Sequence, residues 1–352
     1  MAYTTINKST AQFNTKLYTG NGGTNNITGV GFQPDWTWLK KRNGAVNHSI
    51  FDAVRGATKN IVSNTTASES TSANGLQSWN SDGFVLGSDG DVNASGGTYV
   101  GWNWKAGTSF TNDASATGIG TIDSTGSVNT DAGFSIVSYT GNGSSGATIK
   151  HGLSTAPKII IAKNRQRATN WLVFSSSMSS NGDYTLFLDS TSAKDNSQDY
   201  WGDTAPTSSV FSVGNRQENN QSSENIIAYC FAEKQGYSKF GSYTGNGNAD
   251  GTFVYTGFKP AYVMTKSSAT TSNWEIKDNK RLGYNTVDTY IKANASAAED
   301  TGVSSHAMDF LSNGFKHRGN NDEVNGSGEA YIYMAFAESP FTNSGFVPNN
   351  AR

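Results

Sequence analysis

The chain has 352 residues, 35% of them hydrophobic and only 15% charged, with a formal net charge of -2. Such a balance provides no basic field for phosphates, so nucleic acid is not an expected partner. One cysteine excludes an internal disulfide, and no apolar run is long enough for membrane insertion.

The surface must be built from neutral polar groups, Ser, Thr, Asn and 39 Gly, while aromatics at 12% carry much of the core. Few charges, many turn formers and many rings favour short strands over helices. The expected class is all-β.

In chain order, the apolar lead-in from Phe13 to Leu17 runs into Tyr18-Thr19-Gly20-Asn21-Gly22, which reads as a strand ending in a tight turn. The same five residues return from Tyr139 to Gly143 and from Tyr243 to Gly247. The residues after each copy stay in register: Pro34, Pro157 and Pro260, then Lys40, Lys163 and Lys266, then Asn47, Asn170 and Asn273, each Asn succeeded by a ring, His48, Trp171 or Trp274. Three copies with fixed spacings mean three versions of one unit, each of roughly 117 residues, the size of a domain with its own core. The expected architecture is three tandem β-sandwich repeat domains of jelly-roll or lectin-like type. Their bounds are 1–107, 132–235 and 236–340, with 108–131 a Gly/Ser/Thr-rich linker or hairpin and 341–352 a tail.

A strand begins at each Pro, where no ladder donor is needed. The aligned lysines read as exposed guards against edge pairing. His48 stands where the sister units have Trp, so it reads as a flat ring packed at a half-buried site and not as a base. The remaining histidines have no cysteine or carboxylate at ligand spacing, which argues against zinc. Asp52 and Arg55 match Asp278 and Arg281, and Asn64 and Glu69 match Asn294 and Glu299, whereas unit two has Ser175, Met178, Asp189 and Lys194. The Asp/Arg pairs read as exposed salt bridges. Asp89-Gly90-Asp91-Val92-Asn93 resembles the start of a calcium loop but lacks the later Glu, so a hairpin turn is the reading preferred there.

Each unit closes on a strand apolar on both faces, with Trp102 and Trp104, Tyr229 and Phe231, and Met334 and Phe336 as its anchors; such a strand is central in its sheet. Cys230, within one of them, reads as a small buried thiol. One stretch, Asp199-Tyr200-Trp201-Gly202-Asp203, has rings with no counterpart in the sister units. Asp199, Tyr200, Trp201 and Asp203 have the composition of a glycan-binding loop, although a lid folded over the sandwich edge is the preferred reading.

Tyr-Thr-Gly-Asn-Gly, Gly31-Phe32-Gln33-Pro34-Asp35-Trp36, Phe51-Asp52-Ala53-Val54-Arg55-Gly56, Ala335-Phe336-Ala337-Glu338-Ser339-Pro340-Phe341 and the final Asn350-Ala351-Arg352 resemble repeat proteins of marine bacteriophages, labelled virion structural or tail fibre proteins. The resemblance implies a virion protein, assembled in the host cytoplasm and exposed on the particle. The expected role is a tail fibre or surface appendage for host attachment, with other virion proteins and a host cell-surface glycan as partners. By analogy with phage fibres it is a homotrimer. The alternatives are a purely structural capsid decoration or connector protein, and a polysaccharide depolymerase using Glu69 and Glu299. No catalytic residue, metal or cofactor is expected.

Overall fold

The computed structural model describes residues 4–339, so the tail from Phe341 onward lies outside the described residues. The protein is all-β, with several antiparallel sheets. Three of them share a plan. In unit one the order is Phe13–Thr19, Thr98–Trp104, Trp36–Lys41, Ser49–Asp52; in unit three it is Ser238–Thr244, Ala330–Ala337, Pro260–Ser267, Glu275–Asp278, then Ile291–Lys292. Unit two keeps the order Phe134–Thr140, Asn225–Phe231, Ile159–Asn164, Leu172–Ser175 and adds strands at both ends. The closing strand is central every time, as its two apolar faces require.

Register is also shared. Trp36 pairs with Trp104, Ile159 with Phe231, and Tyr262 with Phe336. These six side chains do not lie in three separate cores. All belong to one cluster drawn from the three units, in which Trp36 stacks on Tyr229 at 4.6 Å and Phe13 on Phe336 at 5.1 Å. The opposite face of each large sheet packs on a small sheet of its own unit, around Phe84 and Leu86, Phe211 and Val213, or Phe310 and Phe315. Because alternate residues of a strand point to opposite faces, a strand facing two cores must be apolar throughout.

The repeated pentapeptide has a definite job. The hydroxyls of Tyr18, Tyr139 and Tyr243 donate to the carbonyls of Val92, Asn219 and Val324. The backbone N–H groups of Asn21, Asn142 and Asn246 donate to the buried side chains of Asn93, Asn220 and Asn325. The first glycine permits this approach: a Cβ on Gly20, Gly141 or Gly245 would lie 2.2, 2.3 or 2.2 Å from a carbonyl oxygen of the opposing segment. The second glycine adopts the left-handed backbone, with φ of 72°, 74° and 65° at Gly22, Gly143 and Gly247. Asn93 and Asn325 end single helical turns, Gly90–Asn93 and Asp322–Asn325, so the segment from Asp89 to Asn93 is a capped helical turn and not the hairpin its sequence suggests. Asp89 accepts from the Asp91 N–H, which gives the chain a local alternative to hairpin bonding.

Of the two readings of residues 108–131, linker or hairpin, the structure has the hairpin. Thr108–Asn112 and Ser124–Asn129 pair as a hairpin that extends the unit-two sheet, with Ile122 and Val128 buried.

Two further expectations are corrected. Lys40, Lys163 and Lys266 are not exposed guards but fully buried. Lys40 Nζ donates to the carbonyls of Lys41 (3.0 Å) and, across a seam, Ser296 (3.1 Å). Lys163 Nζ donates to Thr66 of unit one (2.8 Å), and Lys266 Nζ to Ser267 (2.6 Å). The Asp/Arg pairs are buried too: Arg55 and Arg281 each donate from Nε to the Asp three residues earlier, with almost no side-chain exposure. Spacing shows that such groups are neighbours, but only the packing of one unit on the next removes them from water.

The seams between units repeat one another. His48 Nε2, Trp171 Nε1 and Trp274 Nε1 contact the carbonyls of Lys292, Val62 and Phe187, each in the preceding unit of a cyclic order, at 3.0, 2.9 and 2.9 Å. His48 is thus fully buried and takes over the bond that indole makes elsewhere. Asp52 accepts from Tyr229 across one seam (2.7 Å) and Asp278 from Trp102 across another (3.0 Å). At the third seam the corresponding residues are Ser175 and Met334, so donor and acceptor disappear together.

Candidate functional site

Tyr200 and Trp201 do not form an open platform. Trp201 is 1% exposed, edge-on to Phe174, and Tyr200 is 7% exposed, its hydroxyl donating to Asp195 at 3.0 Å. Asp199 accepts from the Gly202 N–H at 2.7 Å and from the Ser145 hydroxyl, while Asp203 is exposed. The four residues are adjacent, but their rings cover the outer core of unit two.

Glu69 and Glu299 also hold the structure together. Glu69 accepts from Arg165 of unit two (2.9 and 3.0 Å) and from Arg55 of its own unit (3.3 Å). Glu299 accepts from Arg42 of unit one (3.0 and 2.9 Å) and from Arg281 (3.2 Å). Burial pushes the Glu69 carboxyl up, but Arg165 and Arg55 outweigh it and hold the group below its ordinary range. Glu69 and Arg165 line a hollow of about 420 Å³ in which Glu69 is the one carboxylate. A second groove of about 400 Å³ runs beside the inserted hairpin, lined by Asp113, Asp123, Ser138, Tyr139 and Asn225 among others. Both its carboxylates accept from backbone N–H groups, Asp113 from Ala116 and Asp123 from Ala114.

The chemically unusual place is in unit three. On strand Glu275–Asp278, Ile276 faces the shared core, so Glu275 and Lys277 face the outer layer, where unit two has Leu172 and Phe174. His306 arrives from the turn Ser304–His306 and Glu323 from the helical turn Asp322–Asn325, whose cap Asn321 accepts the Glu323 N–H at 2.8 Å. Glu275, His306 and Glu323 bring one potential ligand atom each to within 4.8 Å of one another. Glu275 is 1% and His306 5% exposed. One oxygen of Glu275 contacts His306 Nδ1; the other has no hydrogen-bond partner, with Lys277 Nζ at 3.7 Å. Glu323 accepts from Asn273 Nδ2 at 2.5 Å, and His306 stacks on Tyr290 with centroids 4.5 Å apart. Sequence reading missed this set because its members are far apart in the chain. The available signal was a Glu and a Lys at positions that are apolar in unit two.

The fold and these sites define an all-β chain of three like-built sheets closed around one aromatic core. The chain belongs to the family described as a domain of unknown function, DUF7483, which it matches over residues 8–340. No curated protein and no solved structure matches it. Among the described residues no helix is long and apolar enough to cross a membrane.

Proposed function

We propose that this chain is a structural protein of a bacteriophage virion, a tail fibre or other surface appendage that takes part in host-surface attachment. Its three units are β-sandwich repeats, and its working form is a homotrimer on the particle surface. The observation that carries this reading is the repeated seam: rings at all three seams, and lysines and Asp/Arg/Glu networks at two of them, join the units into one body. A rigid body with many neutral polar loops suits weak, repeated binding to a glycan surface or to neighbouring subunits. The phage resemblance of the sequence motifs points the same way. Glu69, held below its ordinary range by Arg165 and Arg55, is a poor general acid, and Glu299 is tied up by Arg42 and Arg281 in the same way that Glu69 is by its arginines, which argues for binding over polysaccharide cleavage.

A connector or decoration role is the second reading, favoured by Phe253 and Tyr255, 43% and 61% exposed on one short edge strand of unit three. Locating the chain in a particle reconstruction separates the two. A position at a tail tip, together with glycan binding by the isolated protein, supports attachment; a position buried among capsid subunits overturns it. Light scattering should return a mass near three times 37.4 kDa. Release of reducing ends from host polysaccharide, abolished by Glu69→Gln, would sink the non-catalytic reading.

A further inference from the structure

We propose that Glu275, His306 and Glu323 form a site for one divalent first-row transition-metal ion, zinc fitting best, that clamps the outer layer of unit three. The donor set is mixed nitrogen and carboxylate oxygen, which suits zinc and its neighbours; calcium asks for six or more oxygens. The donors come from three separate elements, a sheet strand and two short turns, and converge within 4.8 Å.

Convergence of acids alone would mean little. A second observation stands beside it: Glu275 is almost fully buried, yet the carboxylate oxygen that does not meet His306 has no hydrogen-bond partner. Stranding a carboxylate oxygen in this way costs free energy unless something satisfies it. Lys277 is the competitor, but its Nζ lies 3.7 Å away, too far for a hydrogen bond, and has no hydrogen-bond partner of its own.

Outer contacts of the kind that orient metal ligands are present. Asn273 Nδ2 holds Glu323, and Tyr290 fixes the plane of His306 by stacking at 16°. Three protein donors leave a fourth position for water. An ion held by the nearly buried Glu275 and His306 would add its binding energy to the stability of the fold.

The test uses the full chain without an affinity tag, stripped with a chelator and dialysed against zinc alone. The expected result is one zinc retained per chain, a rise in unfolding temperature that the chelator reverses, and a visible cobalt(II) absorption characteristic of nitrogen and oxygen donors. His306→Gln and Glu275→Gln should each weaken zinc binding by about tenfold or more. Lys277→Met should keep binding or strengthen it, since it removes only the competing cation. The cobalt spectrum of the wild-type chain requires no variant, so a misfolded substitution cannot hide the answer. Binding well below one equivalent at about 100 µM zinc, or a cobalt spectrum unchanged in folded His306→Gln, would overturn the proposal.

Discussion

Position 48 carries imidazole where the sister positions carry indole, and that exchange brings a pH dependence that indole lacks. Burial pushes His48 down to about 3; its Nδ1 accepts from Trp38 Nε1 at 2.8 Å. His151 is held to about 4 and His317 to about 3, again by burial. An unfolded histidine takes a proton near pH 6.5, whereas these folded ones do not, so stability present above that value is lost as pH falls from about 6.5 toward 4. Urea midpoints should therefore drop across this window, and the drop should be shallower in a folded His48→Gln variant. An identical slope in that variant would remove His48 from the account. On the alkaline side, burial lowers Lys40, Lys163 and Lys266 to about 8. Between there and the unfolded value near 10.4 the unfolded chain binds more protons, so stability should rise with pH over that window. Buried Tyr229 and Tyr139, raised well above their ordinary value by burial, reverse the trend above about pH 10, where the unfolded chain loses protons that the folded one keeps. Midpoints at about pH 7.5, 9 and 11 should rise and then fall. A monotonic decline would show that the lysines keep ordinary proton affinities.

Along the strands, side-chain volume is exchanged between neighbours. Unit one sets large Trp38 beside small His48; at the matching positions units two and three have Ile161 and Trp171, and Met264 and Trp274. All but His48 belong to the shared core cluster, and His48 sits edge-on to Trp38 with centroids 5.8 Å apart. His48→Trp alone should overpack the site and cost about 1–3 kcal/mol, and adding Trp38→Ile should recover most of that loss. Strict additivity of the two substitutions in calorimetry would show that the positions do not share volume.

The seams give a second comparison at this scale. Glu299→Gln removes the carboxylate that Arg42 and Arg281 share, leaving Arg281 its Asp278 but Arg42 without its acidic partner, and should cost about 2 kcal/mol. Lys194→Ala, at the corresponding position of the seam that lacks such a network, should cost about 1 kcal/mol or less. Equal losses would mean that the network adds nothing beyond packing.

Across the whole molecule, the consequence of one shared core is that no unit carries a complete one. A chain of residues 108–235 alone would expose Ile159, Ile161, Tyr229 and Phe231. It should bind a hydrophobic dye or self-associate, and show no cooperative transition as a monomer. A monomeric, cooperatively unfolding fragment would mean that its outer core, around Phe211 and Trp201, suffices by itself. Local chemistry was legible in the sequence: the all-β class, the central closing strands, and the repeat register that places Trp36, Ile159 and Tyr262 at like positions. These come from side-chain alternation and from glycines needed at fixed places, both properties of the chain within a few residues. What only the tertiary structure decided is where the second face of each sheet goes. An apolar strand face is the same in sequence whether it meets its own unit or a sister, so the common core was not legible there. Nor was the burial of Lys40, Lys163 and Lys266, whose carbonyl partners are in part supplied by another unit. The meeting of Glu275 with His306 and Glu323 was hidden for the same reason: the fold closes long loops between residues that share no local pattern.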